Sequence, residues 1–171
     1  MFYGCESLAT LSNISLWDTS NVQNIKSIFE TCSSLLSLPD ISKLKIDKVT
    51  NMISMFSKCI SLISLPERTE WNTSNVKDFD LLFHKFHSFI SIPDISSWNT
   101  DKVTKMRQMF EECNSLISLP YLSKWNIKNV ADMSFMFKGC NSLVSFPDIS
   151  EWKTENIQDI FAGCFNSLIC Q

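Results

Sequence analysis

Seven cysteines and two histidines carry most of the chemistry this sequence could perform. Thiols can hold zinc, form bridges or attack a carbonyl. Zinc binding needs close pairs such as C-x-x-C, and the chain has none. Six of the cysteines, Cys5, Cys32, Cys59, Cys113, Cys140 and Cys164, instead hold one place in successive similar stretches, and Phe86 takes that place once. A position that accepts phenylalanine wants apolar volume, and a buried free thiol behaves as a small hydrophobe. We therefore expect buried thiols rather than disulfides or a metal site. Cys170 stands outside the column and is expected to be a terminal free thiol, with pairing to Cys164 or to another chain as alternatives.

A nucleophile needs a base beside it. The only histidines are His84 and His87. His84 matches Glu111 and Lys138 in later stretches, and His87 matches Asn114 and Asn141, so both read as surface positions. No single stretch holds an acid, a base and a nucleophile that the others lack, and no catalytic, cofactor-binding or metal-binding residue is expected. One further column, Asp40, Glu67, Asp94, Tyr121 and Asp148, follows a proline each time and is the candidate partner-binding set. Stacked acids there would attract a basic partner. The competing reading is that Pro-Asp simply makes a turn. Repeated serines, Ser7 to Ser142 before the leucine and Ser37 to Ser145 beyond it, read as hydroxyls that satisfy turn backbone. Asn13-Ile14-Ser15 and Asn72-Thr73-Ser74 fit the glycosylation acceptor pattern, which an Asn- and Ser-rich chain also produces by chance.

The elements that position these residues recur every 27 residues: Val22, Val49, Val76, Val103, Val130 and Ile157 keep the frame. So do Trp17, Trp71, Trp98, Trp125 and Trp152, with Leu44 in the missing place, and the phenylalanines from Phe2 to Phe137. Such self-similarity implies a solenoid whose units bury their apolar sides only by stacking. In KVTKMRQMFEEC, Val103, Met106, Met109, Phe110 and Cys113 would share one stripe of a helix. Ser20, Asp47, Ser74 and Asp101 precede these stripes as N-caps. SLISLP, short and stopped by proline, reads as a strand. Strands stack at ~4.8 Å and helices at ~8–10 Å, so such a stack would curve. The expected fold is an α/β solenoid, a leucine-rich-repeat horseshoe segment with parallel strands on the concave side and helices on the convex side. Residues 1–171 would form a single solenoid of about six units, the first and last incomplete.

The bulk properties agree. The chain is 44% hydrophobic, with 15 basic and 18 acidic residues interspersed, so disorder is not expected. There is no basic run of the kind that binds nucleic acid, and no apolar stretch near the ~20 residues that span a bilayer. The start, MFYGCESLATL, lacks a secretory signal and reads as the interior of a repeat, so the chain is a fragment of a longer array or has a short first turn.

The unit W-N-T-S-N-V-x-x-M-x-x-M-F-x-x-C-x-S-L-x-S-L resembles the BspA-like leucine-rich repeat and the bacterial surface-protein repeat of mycoplasma lipoproteins and protist surface proteins. The resemblance covers nearly the whole chain. Departures are the Pro-Asp that lengthens the unit, FHKFHSF at 83–89, and a shortened last unit at 160–168. The resemblance implies a non-enzymatic protein-interaction module at the cell surface or in adhesion, binding an unidentified protein partner through the concave face, with no cofactor. The alternatives are a structural spacer with no ligand, and a cytoplasmic location, which reduced cysteines and the missing signal would suit.

Overall fold

The computed structural model describes residues 1–12, 14, 16–65, 71–145, 148–149, 152 and 159–164. The chain winds into stacked coils, one per 27 residues. Isolated parallel bridges join Asn24 to Asn51, Asn51 to Asp78, Asp78 to Lys105 and Lys105 to Asp132, each exactly one repeat apart. A further bridge joins Ser91 to Ser118 across the coil's other run. The repeat solenoid expected from the period is therefore present.

Its local structure differs from the expectation. No helix occurs among the described residues, and the stripe expected to be helical is a chain of tight turns. The second coil shows how its backbone groups are satisfied. The amides of Met52, Ser54, Phe56 and Lys58 donate outward to the carbonyls of Asp78, Asp80, Leu82 and His84 in the next coil, at 2.8–3.1 Å. The amides between them turn back: Met55 to Met52, Ser57 to Ser54 and Cys59 to Phe56, at 3.1–3.2 Å. Half the donors thus serve the stack and half serve the turns, which leaves none for the i→i−4 pattern of an α-helix. Ser54 and Lys58 have φ of 53° and 61°, and the same left-handed conformation recurs at Leu81, Lys85, Gln108 and Glu112. A right-handed helix cannot contain such residues.

The expected N-caps differ accordingly. Ser20, Ser74 and Asp101 do not cap; their own amides donate to Asp18, Asn72 and Asn99 side-chain oxygens two residues back. Asp47 and Asp101 instead accept from Asn72 and Asn126 of the following coil at 3.0 and 2.7 Å.

SLxSLP is not a regular strand either. Its leucines point inward at intervals of three, as Leu62 and Leu65 do, whereas a strand would alternate by two. Amides along this run pair to the coil before, as Leu36 to Ala9, Ile63 to Leu36, Ile117 to Ile90 and Val144 to Ile117, at 3.0–3.4 Å. Both runs of the coil are therefore spaced by backbone pairing. The unequal helix and strand widths from which a horseshoe was expected do not occur.

The core lies along the axis as columns. Phe2, Phe29, Phe56, Phe83, Phe110, Phe137 and Phe161 form a continuous stack with centroids 5.4–6.0 Å apart. That spacing alone excludes stacked helices. Val49, Met52, Met55, Phe56, Cys59 and Leu62 show how one coil turns its apolar residues inward.

Candidate binding face

Because inward residues come every third position, the residue after each inward leucine faces out. Leu36, Ile63, Ile90, Ile117 and Val144 occupy that place, one per coil, and are between 44% and 65% exposed. Branched aliphatics one repeat apart on stacked coils form a continuous apolar stripe. Ser37, Ser64, Ser91, Ser118 and Ser145 are exposed beside it. Scattered apolar residues on a surface need no explanation, but a contiguous row does. Reading SLxSLP as a strand, whose side chains alternate by two, does not single out this row. The signal was there, because the interval of three between leucines leaves the middle residue facing outward.

The residues expected to bind a partner are placed as follows. Asp40 and Asp94 are exposed, and each accepts from the amide two residues on, Ser42 and Ser96, at 2.9 Å. Hydrogen bonds from Ser42 and Ser96, first from their hydroxyls and then from their amides, hold both carboxyls below the usual aspartate value. They are turn-formers and exposed anions at once. Tyr121 is 80% exposed, Asp148 is exposed, and Glu67 lies outside the described residues. Asp40, Asp94, Tyr121 and Asp148 each follow a stripe residue by four positions.

A second column also went unrecognised. Ser57, His84, Glu111 and Lys138 stand one per coil. Ser57 Oγ lies 3.1 Å from His84 Nδ1, His84 Nε2 lies 3.7 Å from Glu111 Oε2, and Lys138 Nζ pairs with Glu111 Oε1 at 2.9 Å. Gln108 Nε2 also donates to Glu111. His84 and Glu111 are thus not the surface positions expected, since Glu111 is 3% exposed and the His84 side chain 13%. Looking within one unit for acid, base and nucleophile hid a row assembled across units. Burial pushes the His84 pKa down, against the pull of Glu111. The row has the order of a Ser-His-acid triad, yet Ser57 is only 1% exposed and cannot meet a substrate carbonyl. Its physical role is to satisfy the buried Glu111 carboxylate.

The cysteine column is buried and unbridged at Cys32, Cys59, Cys113 and Cys140, and half-buried at Cys5 and Cys164. Cys170 and two residues of the first acceptor triplet, Asn13 and Ser15, lie outside the described residues. Among the described residues, no group of three or more His, Cys, Asp or Glu is placed to hold a metal, and no helix is long and apolar enough to cross a membrane.

Three solved structures are similar to this chain. A leucine-rich repeat protein from Bacteroides ovatus ATCC 8483 is 21% identical, with 82% of this chain and 31% of that one covered, at TM-score 0.47. The T. pallidum leucine-rich repeat protein is 20% identical over 94% of this chain and 77% of that one, at TM-score 0.49. One from Eubacterium ventriosum ATCC 27560 is 15% identical over 70% and 35%, at TM-score 0.44. The chain therefore spans about a third of the Bacteroides and Eubacterium proteins. No curated protein sequence matches it. A family model described as Mycoplasma protein of unknown function, DUF285, matches residues 1–91 and again 62–168, and with nearly its whole length covered the chain belongs to that family.

Proposed function

We propose that this chain is a non-enzymatic protein-interaction module, one solenoid over residues 1–171, that binds a protein partner through the face carrying Leu36, Ile63, Ile90, Ile117 and Val144. The carrying observation is that stripe, exposed in every coil it passes through. An extended partner segment laid along it would bury one aliphatic side chain per coil. Asp40, Glu67, Asp94 and Asp148 would favour a basic partner, and Tyr121 supplies an aromatic of the type enriched at interface hot spots. The resemblance to bacterial surface repeats favours a partner met at the cell surface, as in adhesion. A second reading, a spacer with no ligand, draws support from the exposed serines at 37, 64, 91, 118 and 145, which present the same surface five times.

The test replaces all five stripe residues with serine and, separately, Tyr121 with alanine. Binding of parent and variants to protein partners retained by the immobilised parent is then measured. The stripe variant should keep the parent's circular dichroism and lose binding at least tenfold, and Tyr121→Ala should weaken it severalfold. If the folded stripe variant binds like the parent, the stripe is not the binding face; if the immobilised parent retains no partner at all, the spacer reading stands.

A further inference from the structure

Leu44 is the one break in the tryptophan column that runs through Trp17, Trp71, Trp98, Trp125 and Trp152. Beside it lies a cavity of about 570 Å³. Its walls are apolar, including Trp17, Phe29, Leu44, Ile46, Val49 and Met55, while Asp18, Lys26 and Lys45 around it are exposed. That volume falls within the ~300–1,000 Å³ of small-molecule sites.

The repeat itself indicates what fits. In other coils the corresponding place is filled by an indole from the chain. The Trp71 and Trp98 rings stack at 6.2 Å. Trp71 Nε1 donates to the carbonyl of Ile41, and Trp125 Nε1 to that of Ile95, each at 3.1 Å. Both carbonyls also take the amide three residues on, Leu44 and Trp98, so each accepts twice. By the same register an indole at position 44 would meet the carbonyl of Ile14. Among the described residues that carbonyl accepts only the amide of Trp17, at 3.1 Å. Trp98 and Trp152 carry buried ring nitrogens without a partner among the described residues, so the ring is held chiefly by packing and the hydrogen bond is secondary.

We propose that the cavity beside Leu44 is a binding site for a small planar aromatic ligand of the indole class, which takes the place of the missing tryptophan ring. A leucine fills only part of the space of a tryptophan side chain, and well-packed interiors do not leave such space without cost. The site is distinct from the exposed stripe, so it stands whether or not the stripe binds a protein.

The probe is indole itself, titrated against the intact chain by saturation-transfer NMR and by thermal melting. Parent protein should bind indole saturably and melt a few degrees higher in its presence. Leu44→Trp should fill the cavity, raise the melting temperature without ligand, and weaken indole binding at least tenfold. Leu44→Phe, a smaller filling, should weaken it by less and guards against a Leu44→Trp chain that misfolds. Absence of saturable binding to the parent overturns the proposal. So does equal indole affinity in the parent and a folded filled variant.

Discussion

The thiol of Cys113 donates to the carbonyl of Phe83 at 3.2 Å, and Cys59 and Cys140 donate to Phe29 and Phe110 at 3.1 Å. The column was legible in the sequence as apolar volume, but the bond was not, because it reaches a residue 30 positions back. Phe86 shows the volume requirement by itself, since its ring packs edge-on against Phe56, Phe83 and Phe89. Burial pushes the Cys59 pKa up to about 12, so the thiol stays protonated and keeps its donor. Asp80 is the more informative single residue. Lys105 stands where neighbouring coils have Asn or Asp to accept the amide two residues on. The orphaned amide of Arg107 reaches back to Asp80 Oδ1 at 2.7 Å instead. Burial, with Asp78 adding to it, raises Asp80 to about 6. The folded protein therefore holds this proton more tightly than the unfolded chain, whose value is near ~3.9. The resulting stabilisation is full below ~3.9 and is lost as pH rises through about 6. Asn keeps the acceptor and cannot ionise. Asp80→Asn should be nearly neutral at pH 4 and stabilising at pH 7, by about 1 kcal/mol once solvent screening is allowed for. Thermal melts at the two pH values check it, and equal shifts at both would refute the burial account.

At the scale of the element, the sequence was legible in its period and misleading in its local form. Val103, Met106, Met109, Phe110 and Cys113 fit a helix stripe, but the interval of three runs on through Leu116 and Leu119 into SLxSLP. A period that does not change between supposed elements belongs to a winding of three-residue turns, not to a helix followed by a strand. Such turns need left-handed residues at fixed places. Gly4, Thr31, Lys58, Lys85, Glu112, Gly139 and Gly163 share one such column, with φ between 57° and 74°. Three glycines among seven were a visible signal, masked by the side chains at the other four. Thr31, β-branched, fits this conformation worst. Thr31→Gly should stabilise the fold by about 0.5–1 kcal/mol, the relieved strain less the entropy cost of glycine. Gly139→Ala should cost about 1 kcal/mol through backbone strain alone, because the added Cβ would meet Glu112 Cγ at an acceptable 3.4 Å. Urea denaturation measures both, and a destabilised Thr31→Gly would contradict the assigned conformation.

At the scale of the whole molecule, each coil contacts its neighbours through the same pairings, so stability should be a sum over coils and interfaces. The Asn24, Asn51, Asp78, Lys105 and Asp132 bridges and the phenylalanine stack pass through every described coil without a break. The shortened last unit keeps the stack: Cys164 Sγ still donates to Phe137 at 3.1 Å, and Phe161 still covers Phe137 at 5.4 Å. A copy of residues 98–124 inserted after Lys124 should therefore continue both columns without a new junction. It repeats a coil whose Trp98, Val103, Met106, Phe110 and Cys113 are all buried, and it adds one more stripe aliphatic equivalent to Ile117. The inserted chain should unfold in one transition, with a larger urea m-value in proportion to the added surface and a higher midpoint. It should also bind a stripe partner long enough to span the extra coil more tightly than the parent does. Two separate transitions, or an unchanged m-value, would mean that the coils are not interchangeable and that Leu44, or the His84 row, divides the stack into unequal parts.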